Sequence, residues 1–140
     1  MIQEGLYATL AGDAAVSALV GTRIYPLMIP QQVYTESTKQ PCIVYTLEGR
    51  SRQVRYSGTD TLVRGNLAID CYARTYAAAQ ALADAVRALL EDYSGTMTGN
   101  GSPVSTNVVK KIFIDNELEL VDVEPGLYRV GQSYTIWYDE

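Results

Sequence analysis

The segment IDCYARTYAAAQALADAVRALLEDY, which runs from Ile69 to Tyr93, carries the strongest pattern in the chain. Its first residues alternate apolar and polar side chains, which is typical of a strand with one buried face. After Thr75, apolar residues recur at intervals of three and four, which is the spacing of an amphipathic helix. The segment therefore predicts a strand that leads directly into a helix.

The predicted helix is alanine-rich and long. Thr75 is placed to cap its first turn, and a helix of roughly 19 residues would be about 28 Å long. The residues predicted to form its buried face are Ala78, Ala81, Leu82, Ala85, Val86, Leu89 and Tyr93. The polar residues off that face are expected to be solvated or to lie at a subunit contact; they are Gln80, Asp84, Arg87 and Glu91.

The chain before this segment predicts two short helices and several strands. Ile2, Leu6 and Leu10 have helical spacing, and Asp13 is a predicted N-cap for a second short helix. TRIYPLMIP is predicted to be an edge strand or a loop, because proline cannot donate to a sheet ladder. PCIVYTLEG predicts a central strand, and residues 51–73 predict two further strands around a turn at Ser57–Asp60.

The chain after the helix predicts a loop and three more strands. Ser94–Asn107 is rich in glycine and has no apolar period, so we expect a flexible loop there. The runs VVKKIFID, ELELVDVE and GLYRVGQSYTIWYDE each predict a strand. This order predicts an α+β fold of one domain, residues 1–140. Its antiparallel or mixed β-sheet would have a long helix and short N-terminal helices packed on it.

Composition restricts the chemistry. The chain has 140 residues, 47% of them hydrophobic, and two cysteines but no histidine. Without histidine the common general base is missing and a zinc site has almost nothing to build from. We therefore predict no metal site and disfavour an enzyme, although one that uses carboxylates is not excluded. Cys42 and Cys71 are expected to be buried free thiols. No run is long enough to span a membrane and no cationic signal segment begins the chain, so we expect a soluble protein made in the cytosol.

Charge is unevenly distributed along the chain, whose net charge is −5. Residues 50–74 hold five arginines against two aspartates, whereas residues 75–140 hold four basic against ten acidic residues. Opposite patches can associate head to tail between neighbouring copies, although solvated faces of both signs fit equally well. The candidate interface residues are Arg50, Arg52, Arg55, Tyr56, Arg64, Asp115, Glu117 and Glu119.

Each charged cluster also has another interpretation. Arginines beside Tyr56 are found in nucleic-acid sites, but this cluster is small and the chain is acidic, so docking on an acidic protein surface is favoured. The acidic residues 115–124 could instead serve a small metal-dependent enzyme or a ligand-binding domain. Two-residue spacing places Asp115, Glu117 and Glu119 on one face of a strand, which favours a solvated or partner-facing surface.

Three stretches, taken together, resemble the tail completion proteins of long-tailed bacteriophages, also called tail terminators or tail-to-head joining proteins. They are MIQEGLYATLAGDAAVSALVGTRIYPLMIPQ, LAIDCYARTYAAAQALADAVRALL and PGLYRVGQSYTIWYDE. The resemblance rests on their order and spacing across nearly the whole chain, because each alone is ordinary core patterning.

The resemblance implies a structural protein without catalytic residues or cofactor. Such subunits form a homo-hexameric ring that caps the tail tube, ends its polymerisation and joins the tail to the head-side connector, with DNA at most passing through the ring lumen. The implied location is the tail or neck of a virion assembled in a bacterial host. Another head-to-tail neck or closure component remains the alternative within the same particle.

Overall fold

The computed structural model describes residues 2–21, 23–26, 41–55, 58–99, 106–122 and 127–139. Three helices and six strands lie in these ranges, as the α+β prediction requires. Within them, no helix has the length and apolar character needed to span a bilayer.

The helices are α1 (Ile2–Gly12), α2 (Ala14–Val20) and α3 (Tyr76–Leu90). Both predicted N-caps are confirmed: the Asp13 side chain accepts from the N–H of Val16, and the Thr75 side chain accepts from the N–H of Ala78. Each cap satisfies a backbone donor that the first turn leaves without a helical acceptor.

Helix α3 is shorter than predicted, with 15 residues. The chain leaves the helix at Glu91, whose backbone is extended, and Asp92 then takes a φ of +61°. The N–H of Asp92 donates to the carbonyl of Ile112 at 3.0 Å. This bond to the sheet replaces the next helical turn.

The strands are β1 (Ile24–Pro26), β2 (Cys42–Arg55), β3 (Gly58–Ala73), β4 (Gly95–Thr98), β5 (Thr106–Asp122) and β6 (Leu127–Asp139). They form one mixed sheet in the order β1-β2-β3-β6-β5-β4. Strand β1 runs parallel to β2, and every other neighbouring pair is antiparallel. The predicted edge strand is therefore present at Ile24–Pro26; the rest of TRIYPLMIP lies outside the described residues.

The two end strands of the sheet are much shorter than their neighbours. Strand β1 pairs only with Ile43–Tyr45 of β2, and β4 pairs only with Thr106–Val109 of β5. Within the described residues, the outer edges of Thr46–Arg55 and Phe113–Asp122 have no strand partner. The prediction that PCIVYTLEG is a central strand therefore holds only for its first residues.

The main hydrophobic core lies between the helices and one face of the sheet. Alternate residues of β3 and β6 point into it, as their period-two patterns predict. In β3 these are Val63, Gly65, Leu67, Ile69, Cys71 and Ala73. The buried residues of α3 are Ala79, Leu82, Ala83, Val86 and Leu90. Ala78, Ala85, Leu89 and Tyr93 are partly buried and pack against the same core, so of the predicted apolar face only Ala81 is exposed.

Three strand predictions were wrong in their boundaries. Residues 51–55 continue β2 rather than forming a separate strand. VVKKIFID and residues 117–122 of ELELVDVE belong to one 17-residue strand, β5; the last two residues of ELELVDVE lie outside the described residues. Gly95–Thr98 was predicted to be loop but forms β4, in which Met97 is 1% exposed. Residues 100–105 of the predicted loop lie outside the described residues.

The two cysteines are free thiols on opposite faces of the sheet. Cys71 belongs to the main core, whereas Cys42 packs with Val44, Tyr72 and Tyr25 on the other face. Their side chains point away from each other although their strands are neighbours, so a disulfide would require the sheet to rearrange.

Burial should make both thiols unreactive in the folded protein. It raises the pKa of Cys42 to about 12 and also raises that of Cys71, so little thiolate forms at pH 8. We expect iodoacetamide at pH 8 to leave the native protein unmodified and to label both cysteines in urea, as measured by intact mass. Rapid labelling of the native protein would contradict this burial.

Candidate functional site

The predicted arginine cluster is divided between the two faces of the sheet. Arg50 and Arg52 are paired with Gly65 and Val63, whose positions belong to the helix-covered face. Arg64 is paired with Ser51 on the opposite face. Because direct partners in a ladder share a face, Arg50 and Arg52 lie on one surface and Arg64 on the other; all three are exposed.

Two further members of that cluster are less fully placed. The backbone of Arg55 ends β2 and pairs with Gly58, which puts it beside the turn of the hairpin. Tyr56 lies outside the described residues.

The predicted acidic face is also divided, because β5 contains a bulge at Asp115. Ile114 pairs with Tyr134 and Asn116 with Ser133, which leaves Asp115 as an extra residue. Its carboxylate accepts a 2.6 Å hydrogen bond from Thr135 on the face away from the helices. Glu117 and Glu119 point to the helix-covered face instead. The prediction that all three share one face was therefore wrong, since a bulge interrupts the alternation of a strand.

Glu119 is bound by the start of α3. Its carboxylate accepts hydrogen bonds from the hydroxyl of Tyr76, at 2.7 Å, and from the amide of Gln80. The bond to Glu119 raises the pKa of Tyr76. The Tyr76 ring also meets the ring of Tyr128 edge-on, with centroids 6.1 Å apart.

Glu117 is bound by the middle of α3. Arg87 donates to it at 3.2 Å and to Asp84 at 3.0 Å. The sequence left Gln80 and Arg87 as either solvated or at a contact between subunits. In the structure both side chains join α3 to β5 within one subunit. The sequence carried no signal for them, because the partners are about 30 to 40 residues apart.

A buried glutamine, Gln132, extends the polar contacts between α3 and β5 beneath the helix. Gln132 is 1% exposed, and its amide nitrogen donates to the carbonyl of Ala83 at 3.0 Å and to Glu117 at 3.4 Å. Its amide oxygen accepts from the hydroxyl of Tyr134 at 2.8 Å. Burial raises the pKa of Tyr134, so the hydroxyl remains a donor over the working range of pH.

The acidic residues do not form a metal site in the part of the chain that is described. There, no three acidic or thiol side chains come together as metal ligands would. Glu117 and Glu119 are already occupied by protein donors, and Asp115 lies on the other face. The three acidic residues of 115–124 whose side chains are described therefore give no support to the enzyme interpretation.

The face of the sheet away from the helices carries exposed apolar side chains on β5. Val108, Phe113 and Leu118 are 42%, 45% and 55% exposed. Lys111 places its ammonium 5.9 Å from the centre of the Phe113 ring and is paired with Trp137 of β6. Lys111 and Asn116 lie between these apolar residues along the strand, so this face of β5 is mixed apolar and polar.

The fold is similar to that of a solved phage-like particle component. A chain in the structure described as the virion of a native gene transfer agent (GTA) particle aligns over 96% of this chain and 92% of its own length, with 16% identity and a TM-score of 0.71. A comparison with curated protein sequences gives no match.

A family model extends this likeness from fold to family. The model described as tail completion protein gp17 matches residues 4–139, which include all three helices and all six strands except for the first two residues of α1. The resemblance noted in the sequence is thereby confirmed, and with it a structural role in the tail or neck of a bacteriophage-type virion. The chain belongs to the tail completion protein gp17 family.

Proposed function

We propose that this protein forms a homo-hexameric ring that caps the phage tail tube, ends its polymerisation and joins the tail to the head-side connector. The observation that carries the proposal is the family match over residues 4–139. The joining of a tube to a connector needs a subunit with more than one contact surface. The exposed apolar side chains of β5 and the charged residues at opposite ends of the sheet supply such surfaces.

A head-to-tail ring also agrees with the charge distribution. In such a ring each copy uses two different surfaces, one for each neighbour. Arg50 and Arg52 lie near one edge of the sheet, and Glu117 and Glu119 lie near the other. Opposite charges at the two edges favour attachment of further copies in one orientation.

Deletion of the gene from the phage or prophage that encodes it tests the role directly. We expect tails of uncontrolled length that lack heads, together with separate DNA-filled heads, when lysates are imaged by negative-stain electron microscopy. Expression of the wild-type chain in trans should restore joined particles. An Ala81→Ser chain should do the same, because Ala81 is exposed on α3.

A different outcome would identify another neck component. Tails of normal length beside heads that have lost their DNA would show that the protein closes the head rather than the tail. Normal joined particles after deletion would contradict both roles.

A further inference from the structure

Among the described residues, the sheet has two edge segments without a strand partner, at diagonally opposite corners. On one side β1 covers the start of β2 and leaves Thr46–Arg55 without a strand partner among the described residues. On the other side β4 covers the start of β5, and Phe113–Asp122 also have no strand partner on their outer edge among the described residues. The ladder places the end of β2 and the start of β5 at the same end of the sheet. The segment of β2 and the segment of β5 without a strand partner therefore lie at opposite ends of the sheet.

The strand directions allow these edges to join. Strands β2, β3, β6 and β5 are successively antiparallel, so β2 and β5 run in opposite directions. If a second copy continues the sheet with its helices on the same side, β2 of one copy meets β5 of the next as an antiparallel pair. This is the pairing used throughout the interior of the sheet.

The charges on the two edges are complementary and lie on the same face. Arg50 and Arg52 occupy helix-covered positions of β2, through their pairing with Gly65 and Val63. Glu117 and Glu119 occupy helix-covered positions of β5, through their contacts with α3. Asp84 adds negative charge beside Glu117, where Arg87 already binds both carboxylates. The β5 side therefore keeps an excess of negative charge.

From these observations we propose that neighbouring copies join edge to edge, β2 of one pairing with β5 of the next. In the register that matches the charges, Arg50 lies opposite Glu119 and Arg52 opposite Glu117 of the neighbour. Ser51 then lies opposite Leu118, which is 55% exposed in the single subunit. The inference rests on the proposed ring and names the surface that closes it.

The diagonal position of these two edge segments is what a closed sheet requires. Neighbours that join through opposite corners are offset along the strands, and a closed sheet accommodates such an offset by tilting its strands. The short strands β1 and β4 would limit how far neighbours can slide. A second copy is favoured over an unrelated strand because each subunit carries one edge of each charge.

Disulfide trapping tests the contact. A Ser51→Cys/Leu118→Cys chain, oxidised alone and on purified tail tubes, should give a ladder of linked subunits beyond the dimer on a non-reducing gel. Both positions are exposed and both native cysteines are buried. The matched control is a Ser51→Cys/Ala77→Cys chain, whose second position is exposed on α3; it should give no ladder.

Charge reversal tests the register. Arg50→Glu alone and Glu119→Arg alone should each weaken association at least about ten-fold at low salt, because each places like charges opposite each other. An equimolar mixture of the two chains should recover association, since each altered edge then meets its opposite. Arg74→Glu, outside both edges, is the charge control. Association is measured by native mass spectrometry and sedimentation.

The outcomes separate this inference from the proposed ring. Rings that form without a ladder and tolerate both reversals would overturn the edge contact and leave the ring intact. Cross-links from Leu118→Cys to the tail tube protein instead of to a second copy would also overturn it. No oligomer alone or on tail tubes would overturn the ring itself.

Discussion

Replacing Gln132 with leucine should lower the free energy of unfolding by about 2–4 kcal/mol, since it removes the partners of buried polar groups. The side chain of Gln132 accepts from the Tyr134 hydroxyl and donates to Ala83 and Glu117. Leucine fills similar space but offers none of these bonds, so the Tyr134 hydroxyl is left buried without its acceptor. Urea unfolding followed by circular dichroism measures the change.

A double-mutant cycle with Tyr134→Phe assigns the loss to the hydrogen bond. Once the Tyr134 hydroxyl is absent, Gln132→Leu should cost less than it does in the wild-type chain, because the orphaned donor has gone. Ser133→Ala is the control at the exposed neighbouring position and should change stability by less than about 0.5 kcal/mol. Equal costs of Gln132→Leu in both backgrounds would contradict the network.

Replacing Gly5 with alanine should also destabilise the protein, by about 1–3 kcal/mol, which is a typical cost of overpacking. An ideal Cβ at Gly5 would lie 2.8 Å from Cβ of Met97 and 3.2 Å from its backbone carbonyl. Helix α1 would have to move away from β4. Replacing glycine with alanine ordinarily stabilises a helix by about 1 kcal/mol. The measured loss in the free energy of unfolding would therefore be the cost of overpacking minus this gain.

Gly12→Ala provides the matched comparison in the same helix. Outside the adjoining residues and backbone of its own helix, no atom lies within 4 Å of an ideal Cβ at Gly12, so this variant should unfold at the same urea concentration as the wild type or higher. If Gly5→Ala behaved in the same way, the close packing of α1 on β4 would be wrong.

Sequence patterns predicted those elements whose local and tertiary preferences agree. The capped start of α3 and the alternation in β3 and β6 were recognisable because each side chain there has one clear environment. Strand β4 was not recognisable, because Met97 alone gives it an apolar residue and its burial depends on Gly5 of α1. The limits of the buried face of α3 were less well defined, because alanines on several sides give little contrast; Ala81 was assigned to that face although it is exposed.

The candidate interface residues show the same limit. The sequence identified their charges but not their faces, which depend on the bulge at Asp115 and on the pairing of Arg64 with Ser51. The sequence pattern could not predict the contacts of Gln80 and Arg87, because these contacts form only when α3 lies across β5.

The bulges have a consequence for how related chains should be aligned. Each of the irregularities at Glu48, Lys110 and Asp115 is one extra residue in a strand whose pairing is otherwise continuous. A homologue that lacks any one of them can keep the same neighbours before and after the gap, so these are the positions where evolution can change the length of a strand without reversing its faces. Alignments that place the gaps a few residues away would exchange inward and outward side chains and would hide the shared core.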